Sequence, residues 1–173
     1  KEEEIYDMLT DAMQWADVIA CGPGLGTSLT ARSLFETVIK EENKPVVLDA
    51  DAINLASTLS DNIFQKNKIL TPHLKEMSRL IETPVATIQT DLMHYADMAK
   101  PATIVLKDAR TVVVSDEKRY INRSGNHALA KGGSGDVLCG MIAGLLARKT
   151  EPFLAASLAT YLHGLTAEEY VKN

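Results

Sequence analysis

The chain has 173 residues, the length of one ordinary domain, and can bury a core without disulfide or metal staples. Hydrophobic residues make up 46% and charged residues 24%, which excludes a disordered or collagen-like chain. The net charge of −5 argues against a dedicated nucleic-acid binder, whose surface would carry a basic face. From the N-terminus, Ile5, Met8, Leu9, Ala12 and Met13 recur at amphipathic spacing, which predicts a helix over 2–14. A buried-type strand over 17–21 is cut off by Gly22-Pro23-Gly24-Leu25-Gly26. Ala31, Leu34, Phe35, Val38 and Ile39 form the inner stripe of a helix over 28–41. Val46-Val47-Leu48 is a strand ending in Asp49-Ala50-Asp51, and a short helix over 52–59 follows. Next come the strand Lys68-Ile69-Leu70-Thr71 and a helix over 73–81, with Pro72 suited to its first turn. A helix over 87–99 leads into a strand over 102–107.

Four apolar strands separated by helical patterns imply βα repetition, hence a mostly parallel sheet covered on both faces. Segments 111–114 and 119–121 follow at turn distance, so one margin of the sheet should turn antiparallel. A polar, glycine-rich loop over 122–135 then leads to helices over 136–147 and 152–163, the first with Gly140 and Gly144 spaced for close helix packing. The expectation is a single α/β domain, or part of one.

Cys21 and Cys139 lie too far apart for a metal-type pair and form no disulfide framework, which points to a reducing, cytoplasmic setting. The sequon Asn122-Arg123-Ser124 would be idle there. No run approaches the ~18 apolar residues of a membrane span, so no membrane role is expected. The opening Lys1-Glu2-Glu3-Glu4 has neither the basic nor the apolar region of a signal peptide. Without an initiator Met, it reads as a processed end or as a piece of something longer.

Ligands of open α/β sheets bind beyond the carboxyl ends of the strands, and the unusual clusters all fall there. The strongest is Lys131-Gly132-Gly133-Ser134-Gly135-Asp136, running straight into an apolar helix. Three glycines permit close approach of the backbone, and the helix start aims free N–H groups at an anion such as phosphate. Asp136 has two readings, a functional carboxylate or a partner of the helix dipole worth ~0.3–1 kcal/mol. The glycines at 22, 24 and 26 are either a ligand loop or a tight turn. They do not match G-x-G-x-x-G, and no P-loop, H-E-x-x-H or G-x-S-x-G motif is present. Asp51 reads as a helix cap, while Asp49 faces a ligand or a hydrated cation. His73 lies at the ligand side, with Glu76 one turn on as a possible dipole partner. Lys107 ends a core strand and must meet a carboxylate or a phosphate. Asp108-Ala109-Arg110 reads as a hairpin turn. His94 and His163 fall within helical patterns and read as structural; His127 is undecided.

In order and spacing, these stretches resemble the NAD(P)H-hydrate dehydratases of the ribokinase-like superfamily. The match runs through residues 22–26, Val47 to Asn54, Leu70 to His73 with Glu76-Met77, Val105 to Lys107 with Thr111, and Asn126 to Gly140. It covers the chain from about Trp15 to His163. The resemblance implies a three-layer α/β/α fold and repair of NADH or NADPH hydrate at the expense of ADP or ATP, with Mg²⁺. It implies that Gly24 or Gly26, His73, Glu76 and Asp136 contact the hydrated dinucleotide. Lys107, Asp108, Ala109, Arg110, Thr111, Gly132, Gly133, Ser134 and Gly135 would hold the adenine nucleotide, and Asp136 would be the catalytic base.

Two departures stand out: Asp108 replaces a common Gly, and Ala128-Leu129-Ala130-Lys131 replaces Gly-Met-Ala-Thr. The resemblance further implies a homo-oligomer and an additional N-terminal segment, fused or separate, that completes the dinucleotide site and the activity. The alternatives are a vitamin-precursor kinase of the same superfamily and a nucleotide-binding fragment without catalysis.

Overall fold

A computed structural model describes residues 2–59 and 63–172; Lys1, at the start of the leader reading, lies outside them. Helix α1 (Glu2–Trp15) is followed by β1 (Ile19–Cys21), α2 (Leu29–Ile39), β2 (Val46–Leu48), α3 (Ala50–Ala56) and β3 (Lys68–Leu70). Then come α4 (Leu74–Leu80), α5 (Val85–Ile88), α6 (Leu92–Asp97), β4 (Thr103–Leu106), β5 (Val112–Ser115) and β6 (Lys118–Ile121). A 3₁₀ turn at His127–Leu129 precedes α7 (Ser134–Ala147) and α8 (Pro152–Lys172).

The six strands pair in chain order, β1 to β4 parallel and β4-β5-β6 antiparallel. Alternation along the strands splits the core in two. Leu48, Leu70, Ile104 and Leu106 face Phe35, Val38, Ile53, Met77 and Ile88 on one side. Val47, Ile69, Val105 and Val113 face Leu138, Ile142 and Leu146 of α7 and Ala155, Ala156 and Ala159 of α8 on the other. The alanines let α8 lie close to the sheet. The result is the expected three-layer arrangement with an antiparallel margin. Among the described residues, no helix is long and apolar enough to cross a membrane.

Several elements differ from their sequence reading, each for a local reason. The helix expected over 87–99 is broken, because Asp91 Oδ1 accepts from His94 N at 3.0 Å and starts α6 afresh. Pro72 lies outside α4, where its carbonyl accepts from Lys107 N at 2.8 Å; His73 is the cap. Helix α8 continues nine residues past 163. Gly140 and Gly144 do not serve close packing, since a Cβ at either would meet nothing within 4 Å.

The loop after β6 is laced to α8. Ser124 Oγ donates to Tyr161 O at 2.8 Å, Asn126 Nδ2 to Ala167 O at 2.9 Å, and Gly125 N to Glu168 Oε1 at 2.7 Å. Gly164 makes this possible: a Cβ there would come within 2.6 Å of the Ser124 carbonyl carbon. Gly164→Ala gains up to ~1 kcal/mol of helix propensity, but the obstacles are the Ser124 hydroxyl, held by its bond to Tyr161 O, and the Ser124 backbone carbon behind it. We expect overpacking to win, with a net loss of about 1–2 kcal/mol in urea unfolding. A stabilised variant would contradict this packing.

Candidate active site

The strand ends form a row: Gly22 after β1, Asp49 after β2, Thr71 after β3 and Lys107 after β4. Gly22 (φ 127°) is the packing glycine of its loop, for a Cβ would run into the Asp49 carbonyl. Asp49 occupies the N-cap position of α3 without making a side-chain cap bond. Its Oδ1 instead accepts from Thr71 Oγ1 at 2.7 Å and from Lys107 Nζ at 2.8 Å. The Asp49 side chain is 2% exposed and that of Lys107 23%. Charge-assisted bonds to an ammonium outweigh a neutral cap when the carboxylate is buried. Asp51, read from sequence as the cap, lies one residue inside α3 and accepts from Gly26 N at 2.9 Å.

The head of α7 rests on this ion pair. Gly133 is its N-cap, left-handed at φ 83°, with no side chain to satisfy the first N–H groups. A Cβ on Gly135 would lie 3.4 Å from Lys107 Nζ and 3.5 Å from Asp49 Oδ2, ordinary contact distances that place the helix start directly against the pair. Helix N-terminus and ammonium together make an electropositive cradle, with Asp49 as fixed counter-charge below.

A cavity of about 800 Å³ opens at this cradle. Of the residues expected around a nucleotide, Lys107, Asp108, Ala109, Thr111, Gly132, Ser134 and Gly135 line it, and Arg110 and Gly133 do not. Of those expected around the hydrate, only His73 lines it. Gly24 and Gly26 lie exposed in the loop after β1 with open space around each. Asp136 is exposed in the first turn of α7, beside the lining residue Gly135. Glu76 is 5% exposed and is taken up by a capping box.

In that box His73 Nδ1 accepts from the backbone N–H of Lys75 (3.1 Å) and Glu76 (3.2 Å). Glu76 Oε2 accepts from His73 N at 2.8 Å, and its Oε1 lies 3.2 Å from His73 Nε2. Nδ1 is therefore an acceptor and the ring proton belongs on Nε2. Burial holds the His73 pKa below 6.5 despite the pull of Glu76, and Lys107 and Arg79 add to the lowering.

The sequence reading missed the opposite wall. Asn122, Ser124, Gly125, Thr160 and His163 line the cavity. His163, read as structural, is 8% exposed with Nε2 at 3.3 Å from Ser134 Oγ. Helical periodicity could flag only its face of α8, because its partner lies on another element. Both cysteines are buried, and burial pushes their thiols up to about 11 (Cys21) and about 12 (Cys139), so neither is a nucleophile near neutrality.

Sheet order, antiparallel margin and glycine-headed helix define a ribokinase-like protein. A ribokinase-like protein from Enterococcus faecalis superposes with TM-score 0.86 at 32% identity, covering 98% of this chain and 61% of that one. The sequence profile of the NAD(P)H-hydrate dehydratase family matches residues 2–173, and the chain belongs to that family. It is 43% identical to an ADP-dependent (S)-NAD(P)H-hydrate dehydratase of Neisseria meningitidis, over 87% of this chain and 53% of that protein. The Bacillus subtilis ADP/ATP-dependent NAD(P)H-hydrate dehydratase co-crystallised with ATP/Mg²⁺ has TM-score 0.79 and 36% identity, over 91% of this chain and 57% of that one. The chain spans between about a third and three fifths of the length of the curated relatives it matches.

Two consequences are measurable. Lys107→Met strands the Asp49 carboxylate; a fully buried pair would lose about 3–5 kcal/mol, and partial exposure of Lys107 puts the loss near the low end. Adding Asp49→Asn should recover at least half of it in urea unfolding. His73, neutral in the folded state, supports stability that is complete above about pH 6.5 and is lost as pH falls below it toward the lowered folded value. His73→Asn, which keeps a cap without a titratable group, should flatten the decline of stability between about pH 7 and pH 5.

Proposed function

We propose that the protein dehydrates NADH or NADPH hydrate back to the reduced dinucleotide at the expense of ADP or ATP. One observation carries the reading: the cavity at the strand ends has the glycine turn of α7 and the Lys107 ammonium on one surface. That combination suits the phosphates of an adenine nucleotide. The β4–β5 turn at Asp108, Ala109, Arg110 and Thr111 would flank the nucleotide, and the backbone of Gly132, Gly133, Ser134 and Gly135 would hold its phosphates. Gly24 or Gly26, His73, Glu76 and Asp136 would approach the hydrate; of these, Glu76 acts through the ring of His73 that it braces.

The reaction needs a poor leaving group, hydroxide, turned into a good one. Asp136 would take the hydroxyl proton, and the freed oxygen would attack the terminal phosphoryl group. Expulsion of phosphate, with loss of a proton from the neighbouring ring carbon, then restores the double bond. Lys107 and the α7 N–H groups offset charge as it builds on the transferred group. Mg²⁺ would arrive bound to the nucleotide phosphates, keeping several of its own waters. A homo-oligomer and a completing N-terminal segment belong to the same reading, as does a cytoplasmic setting.

The test is to supply NADH hydrate with ADP or ATP and follow the return of dihydronicotinamide absorbance. Free phosphate should appear in equal amount; a stable phosphoester would indicate a small-molecule kinase, and neither product a non-catalytic protein. Asp136→Asn keeps shape but cannot take a proton, and should slow single-turnover repair at least ~100-fold. Nucleotide affinity should hold or rise, because the backbone donors are untouched and a negative charge is gone. A rate within a few-fold of the parent would reduce Asp136 to a dipole partner.

A further inference from the structure

We propose that His163 is an additional positioning residue of the cradle, acting through Ser134 and taking up a proton when a nucleoside diphosphate binds. The inference rests on the nucleotide reading of the cavity and adds to it a residue on α8 and a proton.

The geometry comes first. Ser134 is the first helical residue of α7, and its Oγ lies 3.3 Å from His163 Nε2. Both side chains line the cavity that Lys107 and Gly135 line. The height and rotation of α8 at this point are set by bonds on either side of His163. Asn122 Nδ2 donates to Thr160 O at 3.5 Å and Ser124 Oγ to Tyr161 O at 2.8 Å before it, and Asn126 Nδ2 to Ala167 O at 2.9 Å after it. The buried ring therefore has as its partner the one hydroxyl in the glycine turn at the head of α7.

The charges around the ring supply the direction. Burial, and after it the Lys107 ammonium, lower the His163 pKa below 6.5, so the ring is neutral near neutral pH when the cradle holds no anion. Lys107 is itself tied to Asp49 at 2.8 Å. On α7, Asp136 is exposed and the Cys139 thiol stays protonated. On α8, Glu168 is engaged with Gly125 N. A phosphate at the head of α7 would bring a strong negative charge to the Ser134 side of the ring and favour imidazolium. Imidazolium must donate from Nε2, so Ser134 Oγ accepts and its O–H is released to donate to a phosphate oxygen. By linkage, if the anion favours the proton, the proton tightens the anion by the same factor.

The experiment is calorimetry of ADP with the parent, His163→Gln and Ser134→Ala, in phosphate-free buffers of different ionisation enthalpy. ADP titrates in the same range, but identically for every variant, so the comparison cancels it. From about pH 8 to pH 6 the affinity of the parent relative to His163→Gln should rise at least ~threefold, with extra proton uptake near pH 6.5. Ser134→Ala should weaken ADP and reduce that rise. A parent-to-Gln ratio that is constant with pH overturns the proposal, leaving His163 a packing residue.

If His163→Gln fails to fold, NMR titration of the His163 ring in the unaltered protein replaces it. The ring must titrate higher with ADP than without, and an unmoved titration overturns the proposal. If the parent binds no ADP, the nucleotide reading falls by itself. The same series with pyrophosphate then decides His163, which needs only an anion at the head of α7.

Discussion

One buried carboxylate organises the functional end of this protein. Asp49, at the end of β2, receives the Thr71 hydroxyl from β3 and the Lys107 ammonium from β4. The loop after β1 closes over its backbone through Gly22. Four parallel strands are thereby tied at the edge where an α/β sheet presents its ligands. The start of α7 lies against the same pair at Gly135. A lysine beside a helix N-terminus places two positive ends together, and that arrangement is tolerable because a fixed negative charge lies beneath them.

The two faces of the sheet do different work. Helices α2 to α6 cover one face with an apolar core drawn from many short elements, which positions the strand ends. The opposite face is covered by α7 and α8, which bring Ser134, Gly135 and His163 to the wall of the cavity. Glycines do the local shaping. Gly133 supplies the left-handed turn, and Gly164 the room for the loop after β6 to seal against α8.

Much of the fold was legible in the sequence because its strands are continuous apolar runs and its helices carry stripes of period 3.6. The glycine turn at 132–135 was legible for the same local reason, and so was the placement of Lys107 beyond a core strand. The break between α5 and α6 was not, because Asp91 reads equally well as a polar position within a helix and as a cap. Asp51 is not the expected cap but accepts from Gly26 N, and Asp49 is taken up by Thr71 and Lys107, donors that come from other strands. Gly140 and Gly144 have packing spacing but open space beside them.

The sequence alone therefore determined the elements, the parallel sheet with its antiparallel margin, and the residue types gathered at the strand ends, because those follow from periodicity and backbone preference within short windows. Only the tertiary structure decided the partners: which carboxylate holds Lys107, that His73 caps α4 through its ring, and that His163 reaches Ser134 across two helices. Such pairings depend on distances between residues far apart in the chain. Local pattern carries no information about them until the sheet has set the spacing.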